Sequence, residues 1–295
     1  MTYEGPLVNG LLNGRIAVPS DRIAEARSDD SRSKEPTNVS EPVRAVERAL
    51  DVLECFSAET PRLTLTGIAK RVGMHKSTVH RLLATLEKRG FLRRDAGIGD
   101  YQLGLRLLQM TYLTLEHNDL RRLANRFLRQ LVDLHRETGD LSVLDEADVI
   151  FLDVVECHQR VKLAAAVGQR LPAFATASGK AILAFLPDQR VAQILEHGMP
   201  RYTIRTLLTP ASFKNDVEDV RRRGFAVSEQ EYEEGINAVS APIFGVDHDP
   251  VAAIAIAGPA FRLTPRRMLA IGPDIVAASQ SITREFGMTA HEAAH

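Results

Sequence analysis

The chain has 295 residues, a formal net charge of −1, 44% hydrophobic residues and 25% charged residues, a composition typical of a globular protein with material for two domains. Its apolar-rich stretches, such as 177–186 and 251–258, stop at eight to ten residues, whereas a membrane-spanning helix needs about 20. We therefore exclude an integral membrane protein and expect a cytoplasmic one. Cys55 and Cys157 lie in no metal-binding or disulfide-type pattern, so no metal and no cofactor are predicted.

The small net charge conceals an uneven distribution. Residues 43–104 hold 11 Lys and Arg against 7 Asp and Glu, a balance of +4, whereas 1–42 carry −2 and 105–295 carry −3. A short basic segment within an otherwise acidic chain is typical of a nucleic-acid-binding module attached to another domain.

The beginning of the chain has no sustained apolar period over residues 1–41, and its second half is rich in Ser, Asp, Lys and Pro. Such a segment buries too little apolar surface to offset the entropy lost on ordering. We predict a mobile tail there and a short C-terminal tail over 289–295.

The basic segment, residues 42–104, carries the pattern of a winged helix-turn-helix. Apolar residues recur at helical spacing in three runs, the second run ends at Gly73 in a tight turn, and two short extended segments flank a turn-rich stretch. We predict helices from Pro42 to before Pro61, over 66–73 with Thr66 as its cap and over 75–90, followed by hairpin strands over 91–94 and 101–104.

The third predicted helix has a polar face opposite its apolar stripe. Short hydroxyl side chains at its start permit close approach to a DNA groove, and its cationic side chains can donate to bases or phosphates. For this helix alone, a solvated basic face is the alternative, but the Gly turn before it and the arginines of the hairpin after it favour DNA binding. The candidate DNA-contacting residues are Lys76, Ser77, Thr78, His80, Arg81, Arg93 and Arg94.

The remainder predicts a linker helix over 105–118 and a larger α+β domain over 119–288. The linker carries Leu105, Leu108, Tyr112 and Leu115 at helical spacing. The small DNA-binding module next to it offers too little surface to bury these apolar side chains, so we expect the linker to pair with a second copy of the chain. In the larger domain the strands cluster as hairpins, which indicates an antiparallel sheet. Strands are predicted over 141–145, 149–156, 239–245 and 251–258, and helices over 119–138, 178–186, 187–197, 210–223 (capped by Thr209) and 265–286 (capped by Thr264).

The segment 65-LTGIAKRVGMHKSTVHRLLATLEKRGFL-92, followed by 101-YQLG-104, resembles the DNA-binding domain of the isocitrate-lyase-regulator (IclR) family of bacterial transcription factors. Two later segments, 168-GQRLPAFATASGKAILAFLP-187 and 224-GFAVSEQEYEEGINAVSAPIFG-245 with 252-AAIAIAGP-259, resemble the same family's C-terminal half. The resemblance implies a winged helix-turn-helix joined by a linker helix to a GAF-like effector domain. It also implies dimers or tetramers that bind palindromic double-stranded DNA operators.

The family's effector contacts, carried over by motif, fall on Leu171, Ala177, Ser178, Ser228, Ala238, Ala255 and Ala257. Members that sense small oxoacids tend to have an acid at the position of Ser228 and Cys or Ser at those of the last three alanines. Alanines there favour a larger, partly apolar carboxylate such as an aromatic acid, its carboxylate held by backbone N–H groups near Ser178. The alternative is that these alanines simply pack.

Two further patterns resemble parts of catalytic or phosphate-binding sites. Ser178-Gly179-Lys180 lacks the Gly-x4-Gly-Lys spacing of a phosphate loop, so we interpret Ser178 as a helix cap and Gly179 as a point of close approach. Acidic side chains cluster at 229–234, and we expect a solvated face rather than a metal or catalytic site. The sequence predicts a ligand-responsive transcriptional regulator that is not an enzyme. The alternatives are an enzyme of small-carboxylate metabolism with an appended DNA-binding module, and a protein-interaction adaptor.

Overall fold

A computed structural model describes residues 43–57, 59–95, 97–116 and 119–293, without the side chains of Glu116 and of residues beyond Met288. The tail predicted over 1–41 lies outside the described residues. The helices are α1 Arg44–Glu54, α2 Leu65–Arg71, α3 Lys76–Lys88, α4 Leu105–Glu116, α5 Asp119–His135, α6 Ala177–Leu183, α7 Asp188–Leu195, α8 Pro210–Arg223 and α9 Pro265–Ala293. The strands are β1 Leu92–Arg94, β2 Tyr101–Leu103, β3 Thr138–Asp145, β4 Asp148–Val155, β5 Arg170–Pro172, β6 Ala226–Glu229, β7 Ile236–Phe244 and β8 Pro250–Pro259.

The first three helices and the β1–β2 hairpin form the predicted winged helix-turn-helix. The fully buried part of its core is aliphatic apart from Tyr101, with Phe56 and Phe91 packed against it, and the apolar stripe of α3 lies inside it through Val79, Leu83 and Leu86. Gly73, between α2 and α3, has a φ of +64°, a left-handed conformation that glycine adopts without steric cost. The helix-turn-helix prediction is confirmed in this part of the chain.

The cap of α2 differs from the prediction. Thr64, not Thr66, is the N-cap, and its hydroxyl accepts a hydrogen bond from the backbone N–H of Gly67. Leu63 forms a single bridge to Tyr101 of β2, so the chain is extended up to Leu63 and turns into the helix immediately afterwards. The first of the two threonines is therefore the one in the extended conformation that a cap requires.

The larger sheet has six strands in the order β5-β4-β3-β8-β7-β6, and every neighbouring pair is antiparallel. The two predicted hairpins are β3–β4 and β7–β8. The sequence prediction missed β5 and β6, which at three and four residues are too short to show a clear alternation. It also could not foresee that β3 pairs with β8 across more than 100 residues of chain.

Helices cover both faces of this sheet. One face packs against α5 and α9 in a cluster that includes Ile254 and Ile256, while Ala253 of the same strand belongs to a second cluster with α6 and α8. Alternate residues of a strand point to opposite faces, so the sheet forms the middle of three layers. No helix within the described residues is long and apolar enough to cross a membrane.

The bounds of two long helices differ from the prediction. Helix α5 ends at His135 rather than near residue 138, since β3 already begins at Thr138. Helix α9 continues to Ala293, beyond the predicted end at residue 286, and contains Pro273. The predicted caps of α8 and α9, Thr209 and Thr264, both accept a backbone N–H hydrogen bond.

Candidate functional site

The polar face of α3 is open to solvent. Of the candidate residues on this helix, Lys76, Ser77, His80 and Arg81 are exposed, and Thr78 is half-buried. They lie opposite the buried apolar stripe, as the sequence predicts. The face therefore presents cationic and hydroxyl groups from a helix whose opposite side packs in the core of the domain.

The side chains of this face differ in whether they already have partners. His75 is the N-cap of α3, and its Nδ1 lies 2.8 Å from the hydroxyl oxygen of Ser77. Within the described part of the chain, no side chain or backbone group pairs with the ammonium of Lys76 or the guanidinium of Arg81. These two cations are available to an external partner.

The hairpin adds two exposed arginines, Arg93 and Arg94, on β1. Arg93 donates to Oε1 of Gln102 at 2.9 Å. Arg94 donates to the backbone oxygen of Gly99 at 3.3 Å, and its guanidinium carbon lies 5.7 Å from the ring centre of Tyr101. Both guanidiniums keep further N–H groups free, because each has five donors.

A cavity of about 80 Å³ lies in the larger domain, between the start of α6 and strands β3, β4, β7 and β8. Its innermost lining is buried and its outer lining, which includes Gln169 and Glu233, is exposed. The lining residues are Asp140, Phe151, Leu163, Ala164, Ala165, Gln169, Leu171, Ala175, Thr176, Ala177, Ser178, Ser228, Tyr232, Glu233, Ile236, Ala238 and Ala257.

Six of the seven residues carried over from the family resemblance lie together around this cavity. The exception is Ala255, which does not line it. Ala255 lies on β8, between Asp140 of β3 on one side and Ser240 of β7 on the other. It is 1% exposed, and α6 packs on this strand.

Asp140 is the polar group that the sequence analysis missed. Its side chain is 4% exposed and lines the cavity, and Oδ1 accepts hydrogen bonds from the hydroxyls of Ser142 at 2.6 Å and Ser178 at 3.4 Å. Burial raises the pKa of Asp140 to about 6, against the opposing effect of the two serines. The cavity therefore has few polar groups at the alanine positions, as expected. At its buried inner end, however, it contains the carboxylate of Asp140.

The start of α6 also differs from the prediction. Thr176 is the N-cap and accepts a hydrogen bond from the backbone N–H of Gly179, while Ser178 lies inside the first turn and donates to Asp140. Gly179 makes the predicted close approach, because a Cβ atom there would lie 2.0 Å from the backbone oxygen of Ala173. The close packing of this turn on Ala173 fixes the helix start one residue before Ser178.

Lys180 is fully buried, and its Nζ lies 2.6 Å from Oε1 of Glu231 and 2.8 Å from Oδ2 of Asp216. This corrects the expectation of a solvated acidic face at Glu231, which is 7% exposed, whereas Glu233 and Glu234 are exposed as expected. Burial, aided by the charge of Asp216, raises the pKa of Glu231 above its ordinary value although Lys180 opposes the shift. The ion pairs fix Glu231 directly before Tyr232, which lines the cavity.

Threonine hydroxyls hold the same segment from its other side. Thr206 donates to the backbone oxygen of Glu231 at 2.7 Å, and Thr203 donates to that of Gln230 at 2.6 Å. The ring centres of Tyr202 and Tyr232 lie 4.9 Å apart. The outer wall of the cavity is thus tied to α6 and to the 202–206 segment.

Known proteins resemble the chain over most of its length. The family model described as "Bacterial transcriptional regulator IclR C-terminal" matches residues 112–284, and the one described as "IclR helix-turn-helix domain" matches 45–96. The chain is 31% identical to the transcriptional repressor IclR of Escherichia coli (strain K12), over 87% of this chain and 96% of that protein. It is 32% identical to the HTH-type transcriptional regulator BhcR of Paracoccus denitrificans, over 83% and 88% of the two chains.

Two crystal structures illustrate the shared fold. The IclR of Thermotoga maritima superposes with a TM-score of 0.67 at 27% identity, over 83% of this chain and 99% of that one. An IclR homologue from Microbacterium hydrocarbonoxydans, crystallised in complex with 4-hydroxybenzoate, superposes with a TM-score of 0.70 at 24% identity, over 82% and 99%. The winged helix-turn-helix precedes the domain with the antiparallel sheet, and the two family models match these two parts in that order. The chain therefore belongs to the IclR family of ligand-responsive, DNA-binding bacterial transcriptional regulators.

Proposed function

We propose that the chain binds a palindromic DNA operator through α3 and the hairpin, with residues 42–104 as the DNA-binding domain. The observation that carries this proposal is the pair of unpartnered cations, Lys76 and Arg81, on an exposed helix face that its own core holds in place. An arginine on such a helix can donate two hydrogen bonds to a guanine edge in the major groove. Arg93 and Arg94 of the hairpin then contact the phosphate backbone.

Selection of bound duplexes from a randomised DNA pool tests this assignment. The expected result is enrichment of one two-fold-symmetric sequence, and Arg81→Ala should weaken binding to it by about 1–3 kcal/mol while non-specific binding changes little. Lys214→Ala on the exposed side of α8 is the matched control that removes a cation elsewhere. Wild-type affinity in Arg81→Ala would contradict the assignment of α3 as the reading helix.

The linker helix, 105–118, is the proposed site of pairing between two copies. No residue of α4 from Leu105 to Leu115, the part whose side chains are described, is buried, and Leu105, Leu108 and Tyr112 are 73%, 66% and 58% exposed. An apolar helix this exposed needs a partner to remove it from water. Pairing by a two-fold axis also places two reading helices in the symmetric arrangement that a palindrome requires.

We infer that the domain over 119–288 binds a small effector in the cavity, and that the effector is a carboxylic acid with a single aromatic ring. The enclosed volume of about 80 Å³ is about half the roughly 150 Å³ of an apolar protein cavity that takes up benzene, so even a single ring must extend towards the exposed side of the cavity, and larger bodies are disfavoured. Alanine side chains and Phe151, Leu171 and Ile236 supply apolar walls. The 4-hydroxybenzoate complex of the Microbacterium relative is a case of a single-ring acid bound by this fold.

Calorimetry with benzoate and its ring-substituted relatives tests the cavity as the effector site. Ala257→Leu adds three carbon atoms at a buried lining position and should abolish binding, while the operator affinity of the ligand-free protein is retained. Ala211→Leu, at an exposed position of α8, is the control. Unchanged binding in Ala257→Leu would place the effector elsewhere.

A further inference from the structure

One hydroxyl on the polar face of α3 is already engaged at the start of the helix. His75, the N-cap, and Ser77, in the first turn, are both exposed. Nδ1 of His75 lies 2.8 Å from Oγ of Ser77 and 3.4 Å from the backbone nitrogen of the same serine. The imidazole is therefore bonded to two groups of Ser77 at once.

The backbone N–H of Ser77 determines which nitrogen of the His75 ring carries the proton. A backbone N–H can only donate, and its acceptor here is Nδ1, so Nδ1 carries no proton. The proton of the neutral imidazole is then on Nε2. Since an unprotonated Nδ1 has nothing to donate, the 2.8 Å contact with Oγ is a hydrogen bond that the hydroxyl of Ser77 donates.

This bond leaves Ser77 with acceptor capacity but no free proton. A serine hydroxyl has one proton and two lone pairs, so Oγ can still accept a hydrogen bond from a partner outside the chain. The two cations of the same face, Lys76 and Arg81, have the opposite property, because ammonium and guanidinium groups only donate. Ser77 therefore adds an acceptor to a face whose charged groups are donors.

An oxygen that only accepts is selective in the major groove. Adenine and cytosine present an amino group there, whereas guanine presents two acceptors and thymine presents an acceptor and a methyl group. The first residues of a recognition helix are the ones that contact base edges, and Ser77 is the second residue of α3. Opposite guanine or thymine, Oγ would lose its hydrogen bonds to water without gaining a donor.

We propose that Ser77 selects adenine or cytosine at one position of each operator half-site, by accepting a hydrogen bond from the amino group of the base, and that His75 is the positioning residue that imposes this choice. Without the imidazole, the hydroxyl of Ser77 turns freely and can also donate to guanine or thymine. This inference rests on the proposed function, since it concerns the same helix face.

The test is fluorescence anisotropy of the full chain with the operator obtained by the DNA selection, at pH 8, which disfavours the imidazolium form. Each position is changed to all four bases in both half-sites together. At one position, wild type should bind adenine or cytosine at least about fivefold more tightly than guanine and thymine. Ser77→Ala should reduce this ratio to less than about twofold, at that position alone.

His75→Ala should reduce the same ratio to less than about twofold, because the freed hydroxyl of Ser77 also accommodates guanine and thymine. In the double variant, His75→Ala should cause no further change of base preference beyond that of Ser77→Ala. His158→Ala, which removes an exposed imidazole from the domain over 119–288, is the matched control and should keep the wild-type preference. Ser77→Ala keeps the imidazole and the backbone N–H that it caps, so its result does not depend on loss of the cap.

A uniform loss of affinity for all sequences in His75→Ala, with the base preference unchanged, would reduce His75 to a helix cap and overturn its role. The proposal also fails if Ser77→Ala alters no position, or alters one at which wild type prefers guanine or thymine. Arg81→Ala distinguishes this failure from that of the proposed function. Weakened operator binding in Arg81→Ala, together with an unaltered profile in Ser77→Ala, would retain α3 as the reading helix and reject only this inference.

Discussion

Replacing Asp140 by Asn should make the protein more stable at neutral pH, and the gain should disappear in acid. The folded protein raises the pKa of this carboxyl from 3.8 to about 6, so the folded chain binds the proton more tightly than the unfolded chain does. Ionisation of Asp140 therefore lowers the stability of the fold above about pH 6, and this loss is relieved as the pH falls towards 3.8.

The size of the effect follows from the rise in the pKa of Asp140 from 3.8 to about 6. At 1.36 kcal/mol per unit, ionised Asp140 costs the fold about 3 kcal/mol at pH 7.5 and less than about 1 kcal/mol at pH 4. Asparagine is close to aspartate in shape and keeps an oxygen that can accept from Ser142. The variant should thus exceed the wild type in unfolding free energy by up to about 3 kcal/mol at pH 7.5.

The assay compares thermal unfolding of the two proteins between pH 7.5 and pH 4 at one protein concentration. For a domain of this size the expected difference in melting temperature is about 6–12 °C at pH 7.5 and should shrink steadily below pH 6. All other titratable groups are present in both proteins and cancel in the difference. Asp133→Asn, which removes an exposed carboxylate on α5, is the matched control.

A difference between wild type and Asp140→Asn that stays constant from pH 7.5 to pH 4 would refute this reasoning. So would a variant that is less stable than the wild type at pH 7.5, because a favourable partner would then hold the Asp140 carboxylate.

Three further substitutions test separate parts of the structure. Lys180→Met should lower the unfolding free energy by about 3–5 kcal/mol, since it leaves two carboxylates without their buried cation. Lys214→Met on the surface should change it by less than about 0.5 kcal/mol. Equal effects of the two substitutions in urea unfolding would disprove the buried ion pairs. Arg93→Ala should weaken binding to all DNA sequences alike and reduce the slope of log K against log salt concentration by about 1; a sequence-selective loss would mean that Arg93 reads a base. Leu108→Glu should convert an oligomer into a species near 32.6 kDa by light scattering, and a wild-type mass already near that value would rule out pairing through α4.

The sequence predicted the winged helix-turn-helix well because each of its signals is local. The apolar spacing of Val79, Leu83 and Leu86 specifies which face of α3 is buried, and Gly73 specifies the turn. Pairing within the hairpin spans only a few residues. No contact between distant parts of the chain was needed to place the polar face of α3.

Helix caps were predicted correctly only where one candidate was available. Thr209 stands alone before Pro210 and caps α8 as expected. Two hydroxyl residues compete at the start of both α2 and α6, and in each case the first one is the cap. The choice at α6 depends on the packing of Gly179 against Ala173, which local sequence does not reveal.

The inner end of the cavity could not be predicted, since it depends on the order of strands in the sheet. Asp140 and Ser178 are 38 residues apart, and they meet because β3 pairs with β8 beneath α6. The same holds for Lys180 and Glu231, which are 51 residues apart. A single acid in an apolar strand and a single lysine in a helix of small residues carry no local signal of which distant side chains they contact.

Operator binding in the presence of the effector tests the central claim most directly. The measurement is fluorescence anisotropy of the selected operator duplex, titrated with the full chain without ligand and with a saturating concentration of the best-bound of the benzoates compared by calorimetry. We expect the operator affinity to change by at least about fivefold in wild type, and the ligand affinity to change by the same factor on DNA-bound protein, because coupling between two sites is reciprocal. Superimposable titration curves with and without a ligand that calorimetry shows to be bound would contradict the account.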